Sequence, residues 1–266
     1  MSAPLRVGVI GLGARCVIAE NCHKATIPAE LVGGCDPNPA MRQRATEVLG
    51  DYPWFETLDE LLELGIDCAI VTSPDDTHED ITCALLEAGV AVYLEKPIAI
   101  TIEGSDRVLE TAYRTKTPLY VGHNMRHMAV VRILRQVVQD GLIGEVRAIW
   151  CRHFVGNGGD YYFKDWHADR SRTTGLLLQK AAHDIDVMNW LSDSVPERVV
   201  GMGDLMLYGK LSDRSGQKSD AVMSDWFSFD NWPPASLTGL NPVIDVEDVS
   251  MLMMKQTSGT LISYEQ

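Results

Sequence analysis

The sequence predicts an α/β protein of two domains. A doubly wound parallel sheet is expected over residues 1–123, and a domain with an open, mainly antiparallel sheet over 124–266. Apolar runs alternate with helix-period segments as far as His123. The runs are nearly continuous in apolar residues, as strands buried on both faces are. Beyond His123 that rhythm gives way to longer strand-like stretches.

In the first half the strands are expected at Leu5–Ile10, Leu31–Cys35, Cys68–Thr72, Val90–Leu94 and Leu119–Gly122. Helical spacing falls between them, at Arg15–Ala25, Pro39–Leu49, Leu58–Leu64, His78–Ala88 and Ile102–Arg114. Thr57 and Glu60 form a Thr-x-x-Glu capping box, and Gly89 stops a helix just before the next strand. In the second half a helix over Val130–Gln139 ends in the turn Asp140–Gly144. Strands are expected at Val146–Phe154, Val199–Leu207, Val249–Lys255 and Thr260–Tyr264, with a helix at Ala181–Leu191. Lys210–Asp220 is polar and reads as a loop, and Thr257–Thr260 reads as a hairpin turn. The last strand would leave an unpaired edge, so the natural domain is expected to continue beyond Gln266.

Composition narrows the function classes. Of 266 residues, 45% are hydrophobic and 23% charged, as in an ordinary globular protein. A net charge of −14 argues against a nucleic-acid partner, whose phosphates need a basic face. No apolar stretch approaches the roughly 20 residues of a membrane span. The N-terminus carries no charged-then-apolar signal pattern, so the expected compartment is the cytoplasm. The six cysteines contain no Cys-x-x-Cys pair, so neither disulfides nor a metal site is expected.

Gly11-Leu12-Gly13-Ala14-Arg15-Cys16 follows a strand and opens a helix, the setting in which a Gly-x-Gly motif grips a dinucleotide. Gly11 permits the tight turn, and Gly13 lets backbone N–H groups approach a pyrophosphate. Cys16 stands where a third glycine is usual. Asp36 ends the second strand, where a carboxylate bonds a ribose 2′-hydroxyl and repels a 2′-phosphate. NAD is therefore expected, with Arg15 and Arg42 the residues that would favour NADP instead.

Two groupings offer chemistry. Glu95-Lys96-Pro97 ends the strand Val90–Leu94, on the sheet edge where α/β folds bind ligands. A lysine there can hold a substrate hydroxyl or relay a proton, and Pro97 favours an extended Lys96. A surface lysine paired with Glu95 is the bland alternative. The second grouping is Gly175 through Asp186, in which Lys180, His183 and Asp186 are three apart and share a helix face. A histidine with an acid and a lysine beside it is a candidate general acid/base. A solvent-facing helix is the alternative there.

These residues, with Gly122-His123-Asn124-Met125-Arg126, resemble the Gfo/Idh/MocA oxidoreductase family, which includes glucose–fructose oxidoreductase and inositol dehydrogenase. The matching motifs span nearly the whole chain in the family's order. The resemblance implies a Rossmann domain followed by a C-terminal α/β domain whose open sheet forms a homo-oligomer interface. It also implies NAD-dependent hydride transfer at a hydroxyl of a sugar, sugar derivative or cyclitol. Lys96 would be the catalytic lysine and His183 the catalytic histidine. Ser73, Pro74 and His78 would lie near the cofactor, as would Ala14, Arg15, Glu95 and Asn124, and Arg126 would lie near the substrate.

The sequence departs from the family at Gln179, where an aspartate is usual four residues before the histidine. The proton route would then run through Lys180 or Asp184. Cys16 and the short length are the other departures. Tyr161 to His167 is rich in sugar-contacting types, and Trp166, His167, Gln179 and Asp184 join Arg126 as substrate candidates. Asp225-Trp226 to Trp232-Pro233-Pro234 is a second aromatic stretch of that kind. Two other readings stay open: a glycosidase-like or epimerase-like enzyme that retains its NAD, and a non-catalytic sugar- or dinucleotide-sensing protein.

Overall fold

The computed structural model describes residues 3–24, 26–155, 159–216 and 238–266. The aromatic stretch Asp225–Pro234 and the end of the polar stretch Lys210–Asp220 lie outside them. The described residues form two compact units, 3–122 and His123 onward.

The first unit holds six parallel strands: β1 (Leu5–Ile10), β2 (Ala29–Cys35), β3 (Trp54–Phe55), β4 (Cys68–Val71), β5 (Ala91–Leu94) and β6 (Leu119–Val121). Their order, β3-β2-β1-β4-β5-β6, reverses between β1 and β4, which opens a crevice at the C-terminal ends of those strands. Alternate residues of the central strands feed two apolar clusters: Ala69 and Val71 pack with Leu61, Leu85 and Leu86, whereas Ile70 packs with Val9, Leu12 and Leu31. This is the two-sided burial that continuous apolar runs predict. Each fully buried leucine contributes about 1.5–3 kcal/mol.

Helices α1 (Pro39–Leu49), α2 (Leu58–Leu62), α3 (His78–Glu87) and α4 (Ile102–Thr115) start where the sequence signals them. Asn38 caps α1 through Ala40 N, Thr57 and Glu60 close their capping box on α2, and Gly89 adopts a φ of 76° after α3. Two features differ from expectation. The segment after β1, Ala14–Lys24, winds as 3-10 turns rather than as an α-helix. Strand β3 is too short for a periodic signal; it joins the sheet because Gly34 and Cys35 pair with Trp54 and Phe55.

The second unit contains α5 (Ala129–Gln139), β7 (Ala148–Arg152), α6 (Arg170–Thr173), α7 (Ala182–Ser192), β8 (Pro196–Asp204), β9 (Val249–Gln256) and β10 (Leu261–Glu265). Its sheet runs β7-β10-β9-β8, with β7 and β10 parallel and the other two pairings antiparallel. Leu252 and Met254 of β9 and Ile262 and Tyr264 of β10 turn inward against Ala181 and Met188. The expectation of an unpaired edge at the last strand fails: β10 lies inside the sheet, between β7 and β9. The turn joining β9 to β10 is the expected one, with Gly259 at φ 89° and Gln256 N donating to Thr260 O.

Candidate active site

In the first unit the functional loops gather at the C-terminal ends of β1, β2, β4 and β5. Gly11 has a φ of 84°, and a Cβ there would stand 2.4 Å from Ser73 N, so only glycine fits. At Gly13 an added Cβ would meet nothing within 4 Å, which leaves its backbone open to a ligand. Buried Cys16 packs among Val9, Leu12 and Ala19, filling the place of a third glycine. Burial raises its thiol pKa to about 11, so it is no nucleophile.

Asp36 holds the turn. One carboxylate oxygen accepts from Leu12 N at 2.8 Å and the other from Asn38 N at 2.8 Å. Each oxygen keeps a second lone pair, so the acid can still meet a ribose hydroxyl. The two arginines that would favour a 2′-phosphate have local partners. Arg42 donates to the Asp36 carbonyl at 2.6 Å, and Arg15 pairs with the buried Glu95 carboxylate at 2.7 Å.

Thr72, which sequence reasoning passed over as the end of an apolar run, donates to Gly11 O at 2.7 Å and so fastens the glycine turn to β4. The Thr77 hydroxyl donates to Pro74 O at 2.6 Å and lies 2.7 Å from the Ser73 hydroxyl. His78 is 1% exposed, with Nδ1 2.7 Å from Pro97 O and Nε2 2.9 Å from Ser73 O, so its side chain bridges the two loops beside the glycine turn. Burial lowers its pKa, against the two carbonyls, which favour the charged ring. Lys96 is half-buried between Glu95 and Pro97, both buried.

In the second unit His183 occupies the first turn of α7. The expected face of Lys180, His183 and Asp186 is not a single α-helical one, because Lys180 lies in a wide π turn, Leu177–Ala181, that precedes α7. Gly175 is explained by Glu247: a Cβ at Gly175 would stand 2.7 Å from its Oε1. That carboxylate accepts from Leu177 N at 2.7 Å and Arg170 at 3.0 Å, anchoring the start of the turn. Glu247 lies in a loop without periodicity, so no local pattern marks it.

Asp184, a candidate substrate ligand and proton relay, faces the sheet. Its Oδ2 accepts from Tyr264 OH at 2.9 Å and lies 2.8 Å from His153 Nδ1, and the residue is 5% exposed. Gln179 is likewise buried, 4% exposed. Arg126 forms a two-point ion pair with Asp186, at 2.7 and 2.6 Å, and its guanidinium also lies over the Trp190 ring. His123 stands edge-on to His183, with ring centroids 6.4 Å apart and its Nδ1 3.8 Å from Asp186 Oδ2. No local pattern in the sequence marks His123 for that place. Asn124 opens the short turn Asn124–His127, half-buried. Buried His167 is held by Asp165 and stacks on the half-buried Trp166, with ring centroids 3.8 Å apart. A ligand would therefore meet Trp166 more readily than His167.

The chain matches two family descriptions. Residues 5–123 match "Oxidoreductase family, NAD-binding Rossmann fold", and residues 131–266 match "GFO/IDH/MocA C-terminal domain". It is 30% identical to the inositol 2-dehydrogenase of Serratia proteamaculans over 71% of its own length and 55% of that protein's. It is 27% identical to the inositol 2-dehydrogenase of Rhizobium meliloti, covering 82% of itself and 64% of that relative. The chain thus spans less than two thirds of the length of these relatives. Among solved structures, myo-inositol 2-dehydrogenase from Lactobacillus plantarum shares the fold at a TM-score of 0.78 and 18% identity, with 99% of this chain and 69% of that one covered. Scyllo-inositol dehydrogenase from Lactobacillus casei, solved with NAD(H) and scyllo-inositol, matches at a TM-score of 0.74 and 22% identity, over 99% and 69%.

Proposed function

The chain belongs to the GFO/IDH/MocA oxidoreductase family, and from that premise we propose that it is an NAD-dependent oxidoreductase acting on a hydroxyl of a sugar, sugar derivative or cyclitol. The observation that carries this reading is the meeting of the glycine turn and the Lys96 loop at one sheet edge, where Arg15 of the first pairs with Glu95 of the second. The open backbone at Gly13 fits a pyrophosphate, and Asp36 fits the adenosine ribose. When bound, the nicotinamide supplies the hydride acceptor. Lys96 is the proton-handling group that the first unit offers, and His183 the one that the second offers. Engagement of Arg15 and Arg42 with Glu95 and Asp36 supports NAD over NADP. Asn124 and Arg126 are assigned to the nicotinamide and substrate region, with Arg126 oriented by Asp186.

Residues 1–123 are assigned to the cofactor, and 124–266 to substrate and assembly. Homo-oligomer formation through the second sheet is part of the proposal. One sheet face leaves Trp150 78%, Val200 70%, Met202 78% and Met253 69% exposed, an apolar patch of the kind that marks an interface. No helix among the described residues is long and apolar enough to cross a membrane, and a cytoplasmic location is part of the proposal.

Equilibrium titration with NADH and NADPH, followed by a polyol screen, tests the reading. Saturable binding with NADH preferred, and net NADH production from one polyol, is the expected result. Binding without net turnover and with co-purifying NAD would favour the retained-cofactor reading, which buried Gln179 in place of an acid supports. No binding of either dinucleotide by folded protein would overturn the assignment.

A further inference from the structure

The peptide on each side of Lys96 is fastened to a different cofactor loop. On the N-terminal side, Glu95 is 6% exposed and its Oε1 takes Arg15 Nη2 at 2.7 Å, with Arg15 lying just past Gly11 and Gly13. On the C-terminal side, Pro97 O lies 2.7 Å from His78 Nδ1, and the other face of that ring lies 2.9 Å from Ser73 O. Ser73 is the residue whose backbone crowds Gly11. The two fasteners therefore converge on one turn: Arg15 continues from it, and His78 grips the strand end packed beneath it.

The imidazole is suited to this place. It is buried at 1% exposure, and each of its two ring nitrogens lies within hydrogen-bond distance of a carbonyl from a different strand end: the neutral ring donates to one of them and the protonated ring to both. The charged groups acting on it, Glu95 and Lys96, both belong to the loop it holds.

We propose that His78 is a positioning residue, which with the Arg15–Glu95 pair locks the glycine turn, the Ser73 loop and Lys96 into one unit, so that the loops gripping a dinucleotide also aim the lysine. The proposal rests on Lys96 being the proton-handling lysine of the reading above. Catalytic placement is sensitive enough for the lock to matter, since a shift of about 1 Å in a reacting group can cost about a hundredfold in rate.

Competitive amine labelling of the whole chain, read by mass spectrometry at Lys96 against exposed Lys24 and Lys255, measures the lysine's setting without turnover. In cofactor-free protein, His78→Phe should change the relative labelling rate of Lys96 by about fivefold or more, and His78→Gln, which keeps one donor, should recover part of it. A folded His78→Phe protein whose relative Lys96 rate stays within about twofold of wild type would overturn the proposal. Should that variant not fold, Arg15→Gln loosens the other flank from a half-exposed position, and the same criteria apply to it. A parallel arm with saturating NADH judges the dinucleotide reading separately. Protection of Lys96 in the wild type supports that reading, and absence of any NADH effect sinks it, while the cofactor-free arm still decides the role of His78.

Discussion

Asp36 accepts the backbone N–H of Leu12 at 2.8 Å across 24 residues of sequence. The acid that ends β2 therefore shapes the turn that ends β1, before any ligand arrives. Cofactor affinity and local rigidity are thus linked in one carboxylate, and the two glycines flanking Leu12 separate them experimentally.

Gly11→Ala should destabilise the protein by about 2–4 kcal/mol, because the new methyl requires a strained φ and meets the Ser73 backbone. Gly13→Ala should leave stability within about 0.5 kcal/mol, since its methyl meets nothing in the protein. It should still weaken NADH binding by about tenfold or more. Urea unfolding and NADH titration of both variants check this, and unchanged affinity in Gly13→Ala would remove the pyrophosphate from that turn.

Asp184→Asn should cost about 1–3 kcal/mol by weakening the buried bonds from Tyr264 and His153, while NADH affinity stays at the wild-type value. Loss of cofactor binding in a folded Asp184→Asn protein would show that the residue acts beyond the sheet it faces.

Gly175→Ala should cost about 1–3 kcal/mol, as the methyl displaces the Glu247 carboxylate from Leu177 N and Arg170. Combined with Glu247→Ala, the cost should be clearly less than additive, because the clash and its partner vanish together. Additive costs in a double-mutant cycle would contradict that cause.

Stability should fall on acidification through His78. Its folded pKa is lowered by burial, whereas the unfolded ring titrates near the ordinary 6.5. Below that pH the unfolded chain binds the extra proton, so unfolding is favoured as pH drops. Urea midpoints between about pH 7.5 and pH 5 should decline more steeply in wild type than in His78→Phe, by up to about one proton. Equal slopes would place the ring's proton uptake elsewhere.

Thiol chemistry offers a test of burial. Cys16 is raised to about 11 and Cys35 to about 12 by burial, so neither should react with a disulfide reagent at about pH 8 until the chain unfolds. Peptide mapping of the labelled sites reads this directly, and rapid labelling of Cys16 in native protein would mean that its cluster opens.

The parallel sheet, its helix caps and the glycine turn are legible in the residues alone. Each of these rests on local rules: apolar periodicity, capping chemistry at Thr57 and Glu60, and backbone freedom at Gly11. The family also follows from motifs read along the chain. Which polar side chains are buried as struts of the frame emerges from contacts between distant segments. Asp184 and His183 are neighbours in sequence, yet Asp184 turns to Tyr264 while His183 stands by His123. His78 is a polar residue at a helix start, and its burial becomes visible only when β4 and β5 bring Ser73 and Pro97 together. Glu247 reaches Gly175 across 72 residues, and no local pattern encodes a contact at that distance. Strand β3 has the same origin: two residues carry no period, and the pairing offered by β2 makes them a strand.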